Sequence, residues 1–247
     1  MKKRVAALFL AAVMVVSVTA CGNSSTEEPA APSESTGETA ESGDDTAAES
    51  DGGAASTGGK VLSVQIGPNP ETLDPALNSA VDGGNMILHT FECLLTVDEE
   101  GKLAPGQAES WEVSEDGLTW TFHLRDGLKW SDGSDLTAND FVYSWQRVCD
   151  PNTAAPYAET VLSMVEGYDE AIAGDITKLN VVAVDDTTLE VHLTSACSYF
   201  GSLAAFATLS PVQQATIEAN GDAWAVDAST YISNGTFYIS EWVPGSY

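Results

Sequence analysis

Positive charge is scarce in this sequence. Its 247 residues include nine Lys and Arg against 37 Asp and Glu, which gives a formal net charge of −28. A chain with that balance repels the phosphates of nucleic acids and the anionic headgroups of membranes. We therefore expect no nucleic-acid partner. The acidic surface does not by itself define a ligand, because solvated carboxylates are its usual origin.

Groups that commonly perform catalysis or bind metals are also few. The only histidines are His89, His123 and His192, and neither an HExxH nor a GxSxG motif is present. His123 and His192 alternate with apolar residues, which is typical of strand side chains that face solvent. A secreted hydrolase would need a nucleophile with a base, a metal set or two poised carboxylates. We expect no enzyme, no metal site and no cofactor, and a hydrolase is the least favoured alternative.

Cysteine is rare as well. Four are present, with neither a CxxC motif nor the spacing of a zinc finger. Cys93, Cys149 and Cys197 each lie in an apolar or aromatic context, which favours buried free thiols. A disulfide between two of them is the alternative that the sequence leaves open.

The N-terminus has the pattern of an export signal. A basic start at 2–4 precedes an apolar run at 5–16 that is short for a stable membrane anchor. The next residues, VTAC at 18–21, resemble the lipobox of bacterial lipoproteins, in which the cysteine becomes the lipidated N-terminus. The resemblance implies that residues 1–20 are a signal peptide and that Cys21 carries the lipid. It places the protein on the outer face of a bacterial cytoplasmic membrane, facing the periplasm or the cell surface.

Residues 21–59 form a segment of a different kind. Beyond Cys21 it contains no aromatic residue, no Lys or Arg, and nine acidic residues. Such a composition buries too little apolar surface to offset the entropy of ordering. We expect a disordered acidic tether that is extended by the repulsion of its own charges.

From residue 60 onward the hydrophobic periodicity predicts both strands and helices, without an internal repeat. The predicted strands are 61–66, 118–124, 181–184, 188–193 and 236–242, and the predicted helices are 85–95, 138–148, 198–207 and 212–220. Thr137 and Asp140 have the spacing of a capping box at the start of one helix. Trp120, Trp130 and Trp145 are expected in the core, because their segments place apolar residues on one face.

Several segments between 73 and 237 carry a family resemblance. The longest are DGLTWTFHLRDGLKWSDG at 116–133 and TANDFVYSW at 137–145. Shorter ones are LDP at 73–75, AESW at 108–111, DPNT at 150–153, DDTTLEV at 185–191 and SNGTF at 233–237. Together they resemble the family-5 extracellular solute-binding proteins of ABC importers, and in particular the oligopeptide-binding branch.

The resemblance implies a mixed α/β architecture of the type II periplasmic-binding-protein kind. In that fold two lobes close over the ligand, and one lobe carries an extra domain. The resemblance places the start of the first lobe at 60–91, the extra domain at 92–213 and the return to the first lobe at 214–247. Family members continue beyond that point, so we expect the second lobe to be missing from this sequence.

The resemblance also implies function and site. Family members capture peptides and deliver them to the permease subunits of an ABC transporter. It implies that Ser79, Ala80 and Val81 lie against the main chain of the ligand and that Tyr157 lines the cleft. Leu88 occupies a position at which the family often has a cation, so a contact with the carboxylate of the peptide is not expected there.

The expected partners are therefore a peptide, the permease subunits and, through the lipid, a membrane, and the chain is expected to be a monomer. A nickel complex, an oligosaccharide or a role as a sensor of peptide signals are the alternatives.

Overall fold

The computed structural model describes residues 67–243, a mixture of short helices and antiparallel strands. The strands are β1 (Leu95–Val97), β2 (Leu103–Pro105), β3 (Ala108–Val113), β4 (Thr119–Leu124), β5 (Val181–Ala183) and β6 (Thr188–His192). The α-helices are α1 (Val81–Thr90), α2 (Ala138–Cys149), α3 (Ala158–Leu162), α4 (Tyr168–Ile172), α5 (Phe200–Leu203) and α6 (Gln214–Asn220). Short 3₁₀ turns lie at Ile176–Lys178, Ala207–Leu209 and Gly221–Ala225. The signal peptide, Cys21, the tether and the strand predicted at 61–66 lie outside the described residues.

The larger sheet is antiparallel, with the strand order β3-β4-β6-β5, and β1 pairs with β2 in a separate ribbon. Trp120 lies opposite Val191 and Phe122 opposite Leu189. These four side chains are buried, whereas the alternate positions of β4 and β6 are half-buried. One face of the sheet therefore packs on the core. The predicted strand at 118–124 and the predicted hairpin of 181–184 with 188–193 are confirmed within one residue at each end.

Helix α2 begins at the predicted cap. The Asp140 carboxylate accepts hydrogen bonds from Thr137 N at 2.8 Å and from Thr137 Oγ1 at 3.3 Å. The apolar face of the helix, with Phe141 and Trp145, is buried, and the indole Nε1 of Trp145 donates to Leu209 O at 3.0 Å. The helix predicted at 138–148 is therefore confirmed, with one further residue at its end.

Aromatic rings fill the core where the sheet meets the helices. Trp120 stacks on Phe122 with the ring centroids 6.1 Å apart. Phe200 meets Trp120 edge-on at 5.5 Å and Trp145 at 6.3 Å. Trp130 is buried as well, so the three predicted core tryptophans are confirmed.

The helix predicted at 85–95 is wrong at both ends, since α1 runs from Val81 to Thr90. Phe91 is already extended, with φ −121° and ψ 156°, and Leu95 belongs to β1. Leu94 lies in the loop after α1 and Leu95 lies in β1, and both side chains are buried. The spacing of these apolar residues fits a helix, but the helical backbone ends before it reaches them.

The strand predicted at 236–242 is also wrong. The backbone N–H groups of Gly235 and Phe237 bond to the C-terminal end of α1, at 2.8 Å and 3.2 Å, and among the described residues no strand pairs with this segment. The approach is close, because a Cβ at position 235 would lie 2.7 Å from Thr90 O. The segment alternates apolar and polar residues as a strand does, but without a neighbouring strand it has no partner for the hydrogen bonds of a sheet.

The two helices predicted after residue 197 are shorter than expected. The segment 198–207 contains only α5 and the start of a 3₁₀ turn, and α6 begins at Gln214 rather than at 212. Pro211 has no N–H to donate, and Ser210 is not helical, with φ −58° and ψ 142°.

The three later cysteines are buried free thiols, as the favoured interpretation predicted. Burial raises the pKa of the Cys93 thiol to about 11 and that of Cys149 to about 12, so both stay protonated at neutral pH. The Cys93 Sγ lies within hydrogen-bonding distance of Phe206 O, at 3.4 Å.

The end of the described chain packs back on its beginning. The Tyr231 hydroxyl donates to Leu73 O at 3.2 Å and lies 3.0 Å from Thr90 Oγ1. The division at residues 91 and 213 stays a prediction. Within residues 67–243 no helix is long and apolar enough to cross a membrane.

Candidate functional site

The turn that precedes Ser79, Ala80 and Val81 is built on the carboxylate of Asp74. This side chain is buried and accepts hydrogen bonds from Arg147 Nη1 at 3.0 Å and Nη2 at 2.5 Å. Trp224 Nε1 donates to it at 3.3 Å, and the N–H of Ala76 donates at 3.0 Å. A buried carboxylate with four donors is satisfied, so it holds the turn in one position.

Arg147 brings helix α2 to this turn. Burial disfavours its charge, but the hydrogen bonds and the negative charge of Asp74 outweigh that effect and raise the pKa of the guanidinium. The guanidinium therefore stays ionised, and its paired hydrogen bonds to the Asp74 carboxylate fix both distance and orientation.

Asn78 connects the turn to the segment 79–81, which we call the 79–81 loop. Its Nδ2 donates to Ala80 O at 3.0 Å, and its Oδ1 accepts from Ala80 N at 3.4 Å. Gly83 makes room for this arrangement, because a Cβ there would overlap Asn78 Oδ1 and lie 2.8 Å from Thr72 O. Only glycine fits such an approach without displacing the Asn78 side chain.

The 79–81 loop presents its backbone to solvent. Ser79, Ala80 and Val81 are exposed, and Val81 shows 80% of its surface. Ala80 is extended, with φ −115° and ψ 151°, and precedes the first residue of α1. Within residues 67–243 the N–H and C=O of Ser79 and the N–H of Val81 form no hydrogen bond. Extended backbone with free donors and acceptors can pair with the main chain of another molecule.

Tyr157 lies at the start of α3 and is half-buried. Its ring meets that of Phe206 edge-on at 5.5 Å, and its carbonyl accepts from Val161 N at 3.0 Å. No hydrogen bond in the described range uses its hydroxyl. No hydrogen bond or ring contact in that range joins it directly to the 79–81 loop. The structure therefore brings Ser79, Ala80 and Val81 together but connects Tyr157 to them only through intervening residues.

Residues 67–243 contain no arrangement of side chains that supports metal binding or catalysis. Across residues 67–243, no three side chains of His, Cys, Asp or Glu are grouped so that they could hold a metal ion. His123 and His192 are half-buried, on the face of β4 and β6 that points away from the core. His192 Nδ1 lies 3.3 Å from Thr119 Oγ1, a contact that fits a structural role.

Sequence reasoning misses the residues that hold the loop in place. From the sequence, Asp74 is recognised only as part of the LDP segment, and Arg147 only as part of a predicted helix. One signal is present, since Arg147 is a rare cation in a very acidic chain and Asp74 is flanked by Leu73 and Pro75. A carboxylate in an apolar setting requires a partner.

A family model described as bacterial extracellular solute-binding proteins, family 5 Middle, matches residues 102–247. The chain is 44% identical over 180 residues to the periplasmic oligopeptide-binding protein OppA of Escherichia coli, covering 72% of this chain and 33% of that protein. It is 39% identical over 191 residues to the oligopeptide-binding protein OppA of Bacillus subtilis, covering 76% and 34%. A probable deoxycholate-binding periplasmic protein of Escherichia coli, YgiS, is 41% identical over 178 residues, covering 71% and 33%.

Solved structures give the same result. Haemophilus influenzae OppA in complex with the peptide RPPGFSPFR is similar with a TM-score of 0.69 and 41% identity, over 72% of this chain and 35% of that one. Listeria monocytogenes OppA bound to peptide is similar with a TM-score of 0.68 and 34% identity, over 71% and 35%. The chain thus spans about a third of the length of these relatives.

The fold and the comparisons agree on one class of protein. The mixed arrangement of helices and strands is that of the solved family members, as the sequence predicted. The family consists of transport binding proteins and not of enzymes, which also agrees with the prediction. This chain therefore belongs to family 5 of the bacterial extracellular solute-binding proteins.

Proposed function

We propose that this protein binds peptides outside the cell and delivers them to the permease subunits of an ABC transporter. The observation that carries the proposal is the 79–81 loop. There the N–H and C=O of Ser79 and the N–H of Val81, on either side of an extended Ala80, form no hydrogen bond with residues 67–243. A peptide main chain offers the complementary donors and acceptors at regular spacing. Relatives named for oligopeptide binding, and two solved with a peptide, support the same class of ligand.

Binding would occur by strand addition. Main-chain hydrogen bonds would supply affinity without depending on the ligand sequence, while side-chain pockets would remain tolerant. The small side chains of Ser79 and Ala80 suit this role, because they let the ligand backbone come within hydrogen-bonding distance. Tyr157 would line the same cleft with a flat, half-buried ring.

We also propose the domain division that the family resemblance implies. Residues 60–91 and 214–247 would belong to the first lobe, and residues 92–213 would form the extra domain. The packing of Tyr231 against Leu73 and Thr90 supports the association of the two first-lobe segments. The protein would act as a monomer, since binding and delivery need one copy for each ligand.

The protein would be held at the membrane by lipid on Cys21, with residues 22–59 as the tether. The support is the VTAC segment behind a basic and apolar leader. Each buried methylene of a lipid chain contributes about 0.8 kcal/mol, and several chains together give stable anchoring. The acidic tether would extend from an anionic membrane surface and keep the binding part accessible.

A steroid-like ligand is the second candidate, because YgiS, described as a probable deoxycholate-binding protein, is 41% identical over the matched residues. Deoxycholate would use exposed apolar groups and supply no amide partners to the 79–81 loop. The backbone donors and acceptors of Ser79 and Val81 that have no partner among residues 67–243 therefore favour a peptide.

The test is a titration of the 247-residue chain with tripeptides to pentapeptides, followed by NMR. Pairing with the exposed backbone of one short loop should be weak, so we expect a dissociation constant of about 1 mM. The amide signals of Ser79 and Val81 should shift with peptide and not with deoxycholate. Shifts with deoxycholate alone, or no shift at the loop with any peptide, would overturn the proposed function.

A further inference from the structure

A cavity of about 220 Å³ opens beside helix α1. Its walls include Leu88 near the end of α1, the core ring of Phe91 and the side chain of Leu95. Phe91 and Leu95 are buried, whereas Leu88 is 61% exposed and stands at the mouth. Glu92, Thr96, Ser210 and Thr236 also line the cavity, so it has both apolar and polar walls.

The lining of the cavity is linked to both parts of the candidate site, the 79–81 loop and Tyr157. Leu88 follows Val81 by seven residues, which is two helical turns, so the two side chains share one face of α1. On the other side the wall includes Ala205, and the next residue, Phe206, contacts the ring of Tyr157. A peptide that pairs with the 79–81 loop and follows this face of α1 would reach the opening at Leu88.

Two buried groups give the cavity a specific polar character. Cys93 Sγ lies 3.3 Å from Ser210 Oγ and 3.4 Å from Phe206 O. The thiol stays protonated, because burial raises its pKa to about 11. If the thiol donates to Phe206 O, the Ser210 hydroxyl donates to the sulfur and its oxygen is left as an acceptor. If the thiol donates to Ser210 instead, the hydroxyl proton is left as a donor. In either arrangement one polar group is available to a ligand.

Glu92 adds an acceptor to the same wall. The hydrogen bonds of its carboxylate, from Gln107 Nε2 and from Arg125 Nη2, all go to Oε2. In the described range no donor reaches Oε1. The backbone of Glu92 is held as well, since Asn234 Nδ2 donates to Glu92 O at 2.9 Å and Asn234 Oδ1 accepts from Glu92 N at 3.1 Å. Because Glu92 is part of the cavity lining, Oε1 is the carboxylate oxygen that would accept from a group that enters.

We propose that this cavity is a subsite for one side chain of a bound peptide, and that it takes a side chain with an aliphatic stem and a terminal N–H donor, such as Lys or Gln. The stem would lie along Leu88 and Phe91, and the donor would reach Glu92 Oε1. Asp and Glu side chains are rejected, because their carboxylates would lie next to that of Glu92. This inference rests on the proposed function and narrows its ligands.

The test compares four peptides that differ at one position, with Lys, Gln, norleucine or Glu in an otherwise alanine tripeptide. Each position is varied in turn, and binding to the 247-residue chain is followed by NMR. At one position we expect Lys and Gln to bind roughly threefold to tenfold more tightly than norleucine, because one hydrogen bond contributes on that scale. The Glu peptide should bind most weakly there.

A charge variant makes the test specific for the cavity. Leu88→Lys places an ammonium at the mouth and should lower the ratio of Lys-peptide to Glu-peptide affinity by about tenfold. Val182→Lys is the matched control, since Val182 is 43% exposed on β5, away from the cavity lining, and it should leave the ratio unchanged.

The outcomes separate the two claims. If peptides shift the signals of Ser79 and Val81 but Leu88→Lys leaves the Lys-to-Glu ratio at the wild-type value, the subsite is wrong and the proposed function stands. Equal binding of all four peptides at every position would likewise contradict the subsite alone. If no peptide shifts the loop signals in any variant, the proposed function fails and the subsite fails with it.

Discussion

Asp74 and Arg147, 73 residues apart in the chain, form a buried ion pair with two hydrogen bonds, at 3.0 Å and 2.5 Å. The carboxylate belongs to the turn before the 79–81 loop, and the guanidinium belongs to helix α2. The pair therefore joins the segment that we propose binds the ligand backbone to the most extensively buried helix of the described chain. The pair holds the turn before the loop in place, while Ser79, Ala80 and Val81 stay exposed to solvent.

Removing one member of this pair should destabilise the fold. Arg147→Met leaves the Asp74 carboxylate buried without its ion partner, and we expect a loss of about 3–5 kcal/mol in the free energy of unfolding. The measurement is guanidinium unfolding followed by tryptophan fluorescence. Lys102→Met is the control, because the Lys102–Glu100 pair is exposed and should contribute at most about 1 kcal/mol. Similar values for the two variants would contradict the role given to Asp74.

Two adjacent glycines of α1 should respond in opposite ways to substitution by alanine. At Gly83 the new Cβ would overlap Asn78 Oδ1 and lie 2.8 Å from Thr72 O, so Gly83→Ala should destabilise the protein and shift the amide signals of Ser79 and Ala80. At Gly84 the nearest atom is Asn78 Nδ2 at 3.4 Å. Gly84→Ala should therefore be neutral or stabilise by about 0.5–1 kcal/mol, as expected in a helix. Thermal unfolding of both variants is the measurement, and an equal change in both would show that Asn78 does not restrain the loop.

Local signals made much of the fold predictable. The cap at Thr137 and Asp140, the alternation around Trp120 and Phe122, and the hairpin turn at 185–187 each depend on neighbours in sequence, and each is confirmed. The failures are of another kind. The segments 85–95 and 236–242 have valid periodicities, but tertiary partners decide where the helix ends and whether a strand can form.

Truncating a core tryptophan should have a large effect on stability. Trp145 is fully buried, lies against Phe200 and donates to Leu209 O, so Trp145→Ala should cost about 3–5 kcal/mol. Tyr199→Ala is the comparison, because Tyr199 is 59% exposed and should change the stability by less than about 1 kcal/mol. Urea denaturation measures both. A stable Trp145→Ala variant that has lost peptide binding would mean that Trp145 contacts ligand rather than core.

Membrane attachment should depend on one cysteine. We expect the wild-type chain, produced in bacteria, to fractionate with membranes and to carry lipid by mass spectrometry, and Cys21→Ala to be released into the soluble fraction. Cys197→Ala serves as the matched control, since it removes a cysteine in the folded part and should leave attachment unchanged. A wild-type chain that is soluble and unmodified would contradict the lipoprotein proposal.

The candidate site is only partly predictable from sequence. Family resemblance points to Ser79, Ala80, Val81 and Tyr157, but no sequence pattern indicates that the backbone groups of Ser79 and the N–H of Val81 lack partners among residues 67–243. Long-range pairs such as Asp74 with Arg147 leave no periodic signal, because the two residues meet only after the chain has folded.

The central claim is that the 79–81 loop binds the main chain of a peptide. It is tested most directly by comparing trialanine with analogues that carry one N-methyl group at each peptide bond in turn, in an NMR titration of the 247-residue chain. N-methylation removes a donor and keeps the side chains, so at least one analogue should bind about tenfold more weakly or not at all. That analogue should leave the amide signals of Ser79 and Val81 unshifted. Equal binding by trialanine and every N-methyl analogue, with the same shifts at the loop, would contradict the claim.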